Sequence, residues 1–242
     1  ISLTKEGEAL MPVIREFLRA NAKLENQIAA ITDKKRDTIR VAAYASIAMH
    51  WMPEILYRFR RVCPNIDVDL RMVDNAIEPF ELLEKGRTDV IFAAKQAGFS
   101  CDWTPLCQDA MYAILPPDYP LDNPGTFPIE AFEGKEFLMP YGKFDLDVKA
   151  ALAANNVKPK IRPCHVDDET VIRMVGKGLG LSMMAEMMIR GRTNGVTAVP
   201  IEPATGRELG MGLHMRESMP DGILRLRECV LAFIGTLPGT ES

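Results

Sequence analysis

The 242-residue chain is poor in the residues that build disulfide frameworks and metal centres. It has five cysteines, an odd number, and no two of them form a C-x-x-C pair. Its three histidines, His50, His165 and His214, stand far apart, without the spacing of a helical or knuckle zinc site. We therefore expect no metal, no cofactor and free thiols, as in a reducing cytoplasm.

Long apolar runs are also missing. No stretch approaches the roughly 20 residues that cross a bilayer. The first residues, ISLTKEGEAL, carry neither the apolar core nor the cleavage site of a signal peptide. The formal net charge of -4 gives no overall attraction to nucleic acid. These absences favour a cytoplasmic protein that has no membrane partner and makes no contact with DNA through these residues.

Enzyme motifs are absent as well: there is no G-x-S-x-G elbow, no P-loop and no H-E-x-x-H. GKGLG (176–180) lies after a predicted helix and before a predicted strand. A phosphate loop has the opposite order, because it follows a strand and precedes a helix. GKGLG instead predicts a helix C-cap with a left-handed Gly178. The acids of DDE (167–169) suit acid–base or metal chemistry, but capping of the next helix explains them better. We predict that the chain is not an enzyme and has no catalytic residue.

The sequence pattern over residues 4–31 predicts one long helix with Thr4 as its N-cap. Its apolar stripe steps by four and three residues, which is a heptad seam with one polar member. The stripe consists of Leu10, Ile14, Phe17, Asn21, Leu24, Ile28 and Ile31. Because the stripe is narrow, it favours pairing with another helix over packing on its own domain. We assign 1–34 to a linker and dimerisation helix of a homodimer or homotetramer.

Alternating strands and helices follow. Strands are predicted at 38–45, 66–73, 88–94, 109–117, 136–140, 160–166, 179–184, 197–201 and 208–216, and helices at 47–62, 77–85, 145–155, 168–176, 185–190 and 221–235. This alternation implies parallel sheets with right-handed crossovers. The fold class is α/β with two Rossmann-like lobes, 38–107 plus 212–242 and 108–211, behind the long linker helix. A ligand cleft is expected between the lobes.

Two strand-to-helix junctions point to that cleft. Ser46 and Ile47 follow the first strand, and the Ser46 hydroxyl either faces the cleft or caps its helix. In the second lobe, Tyr141 and Phe144 precede a helix that begins near Asp145. Helix N-termini facing one cleft suit an anionic or carbonyl-bearing ligand. Lys95, together with Tyr141 and Lys143, would suit an anionic or aromatic acid.

Taken in order, these segments resemble the LysR-type transcriptional regulators. ISLTKEGEAL resembles the family's LT-x-x-G-x-x-L, where a winged helix-turn-helix passes into the linker helix. IRVAAYASIAMHWMPEILYRFRRVCPNIDVDL resembles the first strand and helix of the effector domain. LLEKGRTDVIFA resembles L-x-x-G-x-x-D-x-x-I, and MVGKGLGLSMM resembles V-x-x-G-x-G-I-x-x-x-P.

The resemblance implies a fold of the periplasmic-binding-protein type II kind. It also implies a small-molecule inducer, with a carboxylate as one candidate, and DNA binding only through a winged helix-turn-helix that these residues lack. The inducer positions it implies are Ser46, Ala76 beside Asn75, the loop from Tyr141 to Asp145, and Asp167. Ala76 cannot donate the side-chain hydrogen bond of the usual Thr. The alternative is a solute-binding protein for transport, which shares the lobes; the linker helix and the missing signal peptide argue against it.

Overall fold

The computed structural model describes residues 4, 6–8, 10–14, 16, 17, 20, 21, 37–140, 145–215 and 219–237. In the first part, the described residues between 6 and 21 are helical and form α1. The Gly7 amide donates to the Thr4 hydroxyl at 3.1 Å, which confirms the predicted N-cap. Leu10, Ile14 and Phe17 of the stripe are all exposed. The last three stripe positions, from Leu24 on, lie outside the described residues.

Lobe I begins with a parallel three-stranded unit that confirms the predicted alternation. The elements are β1 (Asp37–Tyr44), α2 (Ala45–His50), α3 (Met52–Val62), β2 (Ile66–Val73), α4 (Glu78–Glu84) and β3 (Val90–Ala94). β1 lies between β2 and β3 and is parallel to both. All five residues of β3 are buried, because a central parallel strand has helices or chain on both faces.

The predicted single helix over 47–62 is wrong in detail, since the structure has two helices that meet at Trp51. Pro53 is in the first turn of α3. It has no amide hydrogen to continue the ladder of the preceding turn, and a first turn is where a helix tolerates proline. The break leaves α2 as a short helix that carries Ser46 and His50 to the edge of the sheet.

One long strand connects the two lobes. β4 (Asp102–Leu115) begins seven residues before the predicted strand, and its first half pairs antiparallel with β10 (Gly206–Leu213). The register shifts between Leu209 and Gly210, opposite Pro105. A proline in an interior strand removes a ladder donor and requires such an irregularity. Because of Pro105, the sequence pattern did not predict this half of the strand.

Lobe II is built on the second half of β4. Its elements are β5 (Phe127–Pro128), a 3-10 turn (Ile129–Phe132), β6 (Glu136–Met139), α5 (Leu146–Ala154), β7 (Lys160–Pro163), α6 (Asp168–Gly176), β8 (Ser182–Ala185), α7 (Glu186–Ile189) and β9 (Thr197–Glu202). β8 and β9 pair with β4 on its two sides. β6 and β7 are parallel, and a bridge between Phe137 and Leu181 connects them to β8.

The sheet runs through both lobes in the order β2-β1-β3-β10-β4-β9-β5. Most buried side chains cluster around Phe92 and Trp51 in lobe I and around Phe132 and Phe137 in lobe II, while Met187 of α7 packs in the lobe I cluster. α8 (Asp221–Ile234) closes lobe I, and its Phe233 ring meets Trp51 edge-on at 6.4 Å. The division of the chain at 107/108 and 211/212 stays a prediction, because β10 pairs with β3 of lobe I from Leu209 onward.

The structure confirms that GKGLG is a helix end. Gly178 has φ +72° directly after α6, as a left-handed cap requires. Gly180 has φ +155°, and a Cβ there would lie 3.0 Å from the Glu136 carbonyl oxygen. The second glycine lets β8 approach β6 closely.

Candidate functional site

A cleft of about 640 Å³, counted with its solvent-open mouth, lies between the lobes. Lobe I contributes the ends of β1 and β2 with the start of α2, and lobe II contributes the start of α5 and α6 and the end of α7. Its lining residues are Tyr44, Ala45, Ser46, Met49, His50, Val73, Asp74, Asn75, Ala76, Asp145, Leu146, Asp147, Asp168, Met187, Met188, Arg192 and Arg207. Both lobes therefore form its walls, at the carboxyl ends of the parallel strands, where α/β proteins bind ligands.

Arg207 forms the floor of this cleft. Its guanidinium donates to Asp109 Oδ2 at 2.9 and 3.1 Å and to Asp147 Oδ2 at 3.4 Å. The side chains of Arg207 and Asp109 are only 8% and 4% exposed. Asp109 also accepts from the Met187 amide at 3.0 Å. A buried charge needs such compensation, and this network connects β10, β4, α5 and α7.

Ser46 does not cap its helix. The N-cap of α2 is Tyr44, without a side-chain hydrogen bond, so the capping interpretation of Ser46 is wrong. The Ser46 hydroxyl lies inside the cleft and accepts from Arg207 at 3.4 Å. The residue is 7% exposed. At this length the bond is weak, so a ligand polar group can compete for the hydroxyl.

Tyr44 and the Asn75–Ala76 turn form the lobe I wall. The Tyr44 hydroxyl donates to the Ala76 carbonyl at 3.3 Å, and the Arg207 guanidinium lies 5.7 Å from its ring centre. Burial raises the pKa of Tyr44, which keeps it a neutral donor. Asn75 Oδ1 accepts from the amides of Ile77 and Glu78 at 3.0 and 2.8 Å. Asn75 thus fixes the turn that presents Ala76 to the cleft.

Asp145 is the N-cap of α5, as the sequence predicted, and its Oδ1 accepts from the Val148 amide at 3.1 Å. Burial raises the pKa of its carboxyl, and the nearby Asp147 carboxylate adds to this rise. The helix amides and Arg207 oppose the rise without cancelling it. The negative charge of the Asp145 carboxylate is therefore only partly compensated by its neighbours in the cleft.

The remaining predicted positions are not brought together. Ile47 is fully buried in the lobe I core. Lys95 is exposed and lies 3.5 Å from Glu208. Asp167 caps α6 through the Thr170 amide at 2.9 Å and is exposed, while its neighbour Asp168 lines the cleft. Tyr141 and Phe144 lie outside the described residues.

Sequence reasoning missed most of the charged lining. One signal was available: Asp109 is an isolated acid at the start of the apolar stretch DAMYAILPP, where a buried charge needs a partner. The sequence around Arg207 gave no such signal, because nothing in the neighbouring residues of the sequence marks this arginine as buried. Arg192 was also missed; its guanidinium lies 3.0 Å from Met49 Sδ. The pKa of His50 is lowered by burial and by Arg190 and Arg192.

Two absences hold for the part of the chain that the structure describes. There, no three His, Cys, Asp or Glu side chains are grouped to hold a metal ion. None of the helices described has the length and apolar character needed to cross a bilayer.

Comparison with known proteins agrees with this geometry. The profile of the family described as the LysR substrate binding domain matches residues 32–234. The transcriptional regulator TtuA of Agrobacterium vitis is 24% identical over 216 residues, which cover 86% of this chain and 70% of TtuA. The chain spans about two thirds of the length of the curated relatives it matches.

Solved structures share the fold. The regulatory domain of CcmR from Synechocystis PCC6803, in complex with 2-PG, superposes with a TM-score of 0.72 at 18% identity, covering 84% of this chain and all of that one. The effector-binding domain of BenM, with its effector benzoate, gives a TM-score of 0.72 at 20% identity, covering 86% of this chain and 97% of that one. The two-lobe fold of the periplasmic-binding-protein type II kind is thereby confirmed.

Proposed function

Because the chain belongs to the LysR substrate-binding domain family, we propose that it binds a small-molecule effector in the cleft between its lobes and so regulates transcription. The observation that carries this proposal is the cleft itself, with walls from both lobes and polar groups converging on Arg207 and Ser46. The related domains of CcmR and BenM were solved with small organic molecules, 2-PG and benzoate.

The cleft position gives the ligand a route to a signal. A ligand shifts a conformational equilibrium by its differential affinity for the two states. Arg207 on β10 contacts Ser46 of lobe I and Asp147 of lobe II. An effector that changes these contacts would favour one relative orientation of the lobes over another.

Control of transcription requires the regulator as a whole. In this proposal a winged helix-turn-helix contacts the DNA in the cytoplasm, and α1 connects it to the effector domain. The exposed apolar residues Leu10, Ile14 and Phe17 supply a surface for pairing α1 in a homodimer or homotetramer. Transport of a solute is less well supported, because the curated relatives are named as transcriptional regulators. The names of these relatives also favour a role without catalysis.

A ligand screen with a cleft variant tests the proposal. We would measure thermal shifts of the wild-type chain with small metabolites and then titrate each hit by calorimetry. Ser46→Ala removes one cleft hydroxyl, so hits should bind roughly 2–10-fold more weakly, the value of one hydrogen bond. The matched control is Ser100→Ala, since Ser100 is exposed, outside the cleft, and its hydroxyl lies 3.5 Å from Met215 Sδ. Equal loss in both variants, or no loss in either, would argue against binding at Ser46.

A further inference from the structure

The lining of the cleft carries more negative than positive charge among the described residues. Its ionisable side chains include four aspartates but only two arginines. The aspartates are Asp74, Asp145, Asp147 and Asp168. His50 adds little positive charge at neutral pH, because burial and two nearby arginines lower its pKa. A ligand entering this space therefore meets an environment that favours positive charge.

Arg207 is a poor partner for an anion, because two aspartates already compensate its charge. All three of its guanidinium nitrogens already donate, to Asp109, Asp147 and Ser46. A carboxylate ligand that paired with both hydrogens of Nη2 would displace Asp109, and one that took only the place of Ser46 would share a guanidinium already paired with two aspartates. The first exchange would leave the displaced carboxylate without its cation, which is unfavourable in a buried site.

Arg192 is the one cleft arginine left for an anionic group. In the part of the chain described, it forms no ion pair, and its guanidinium lies against Met49 Sδ at 3.0 Å. A plain carboxylate would thus gain one cation while approaching several aspartates. A ligand with both charges could place its carboxylate at Arg192 and its cation among the aspartates.

Asp145 is the aspartate best placed to take that cation. Its carboxylate accepts from the amide at the start of α5, and Arg207, which pairs with Asp109 and Asp147, offsets only part of the cost of its charge. Burial and Asp147 both disfavour its charge. A donor that arrives with positive charge would supply the missing compensation through a charge-assisted hydrogen bond.

We propose that the effector carries a protonated amine, which is held by Asp145 at the start of α5, and that any carboxylate it also carries is held by Arg192. This inference rests on the proposed function, since the cleft rather than the group of aspartates makes the site. It replaces the simple carboxylate of the sequence analysis with a cation or zwitterion.

Matched compounds test the proposal. The probes are linear monoamines, diamines and α-amino acids of two to six carbons, each paired with the carboxylic acid or alcohol of the same carbon skeleton. Thermal shift at pH 7.5 finds the hits, and calorimetry measures their affinity. Amine-bearing members should bind at least about tenfold more tightly than their partners, because a hydrogen bond between charged groups is worth this much.

A variant pair locates the amine. Asp145→Asn should weaken amine binding at least about tenfold, because Asn keeps the cap but not the charge. The control is Asp118→Asn, which removes an exposed carboxylate of lobe II outside the cleft lining and should leave affinity unchanged. Equal effects of the two variants would overturn the role of Asp145.

The remaining outcomes separate this inference from the proposed function. A plain carboxylate that binds as tightly as its amine partner, with affinity lowered by Ser46→Ala, overturns the amine and leaves the effector site standing. Failure of every amine in the panel to bind also overturns the amine proposal. Tight binding of any probe that is insensitive to both Ser46→Ala and Asp145→Asn overturns the proposed cleft as well.

Discussion

At the scale of single residues, the Arg207 guanidinium connects stretches of chain that are far apart in sequence. It contacts Asp109 on β4, Asp147 on α5 and Ser46 on α2. Its side chain and that of Asp109 are almost completely buried. Removing one member of a buried ion network costs more than the network contributes, because the other charges stay buried without compensation.

Arg207→Gln should therefore destabilise the domain by about 3–5 kcal/mol. The measurement is the urea midpoint at pH 7.5, followed by circular dichroism. The matched control is Arg190→Gln, which breaks an exposed i,i+4 pair with Glu186 at 3.3 Å and should cost about 0.5 kcal/mol or less. Similar midpoints for the two variants would show that the Arg207 network does not hold the floor of the cleft.

At the scale of elements, α1 presents an apolar stripe that no other described residue covers. Leu10, Ile14 and Phe17 are 57%, 44% and 68% exposed, which is unusual for large side chains on one face of a helix. Their spacing of four and three residues is that of a helix-pairing seam. The stripe thus favours a second helix, which a second copy of the chain would supply.

Ile14→Glu combined with Phe17→Glu should weaken self-association, because two charges would enter the seam. Multi-angle light scattering over a dilution series measures the change. Met11→Glu is the control, since it adds one negative charge on α1 about a quarter turn away from the centre of the seam. Unchanged association of the double variant would remove α1 from the oligomer contact.

Sequence reasoning predicted elements well where local chemistry determines them. The bounds of α6 matched, and Asp145, Asp167 and Gly178 cap helices as expected. It failed where tertiary context decides: Pro53 divides a helical pattern into two helices, and Pro105 hides half of β4. The cleft was predicted through Ser46, Asn75, Ala76 and Asp145. Arg207 was missed because the partners of a buried charge lie far away in the sequence.

At the scale of the whole molecule, two lobes, each with its own main cluster of buried side chains, share one sheet through β4 and β10. The contacts between the lobes include the Arg207 network and the packing of Met187 in the lobe I core. The cleft lies beside these contacts, where Gly206 approaches β4 so closely that a Cβ would meet the Asp109 carbonyl oxygen at 2.8 Å. A ligand bound there contacts the segments on which lobe orientation depends.

The most direct test is hydrogen exchange of the domain with and without a ligand found in the screen. With ligand, we expect slower exchange in both lobes at once, at 44–50 and 73–77 of lobe I and at 145–149 and 186–192 of lobe II. The exchange rate of α8 should not change. Slowed exchange confined to one lobe, or located away from these four segments, would contradict an effector site between the lobes.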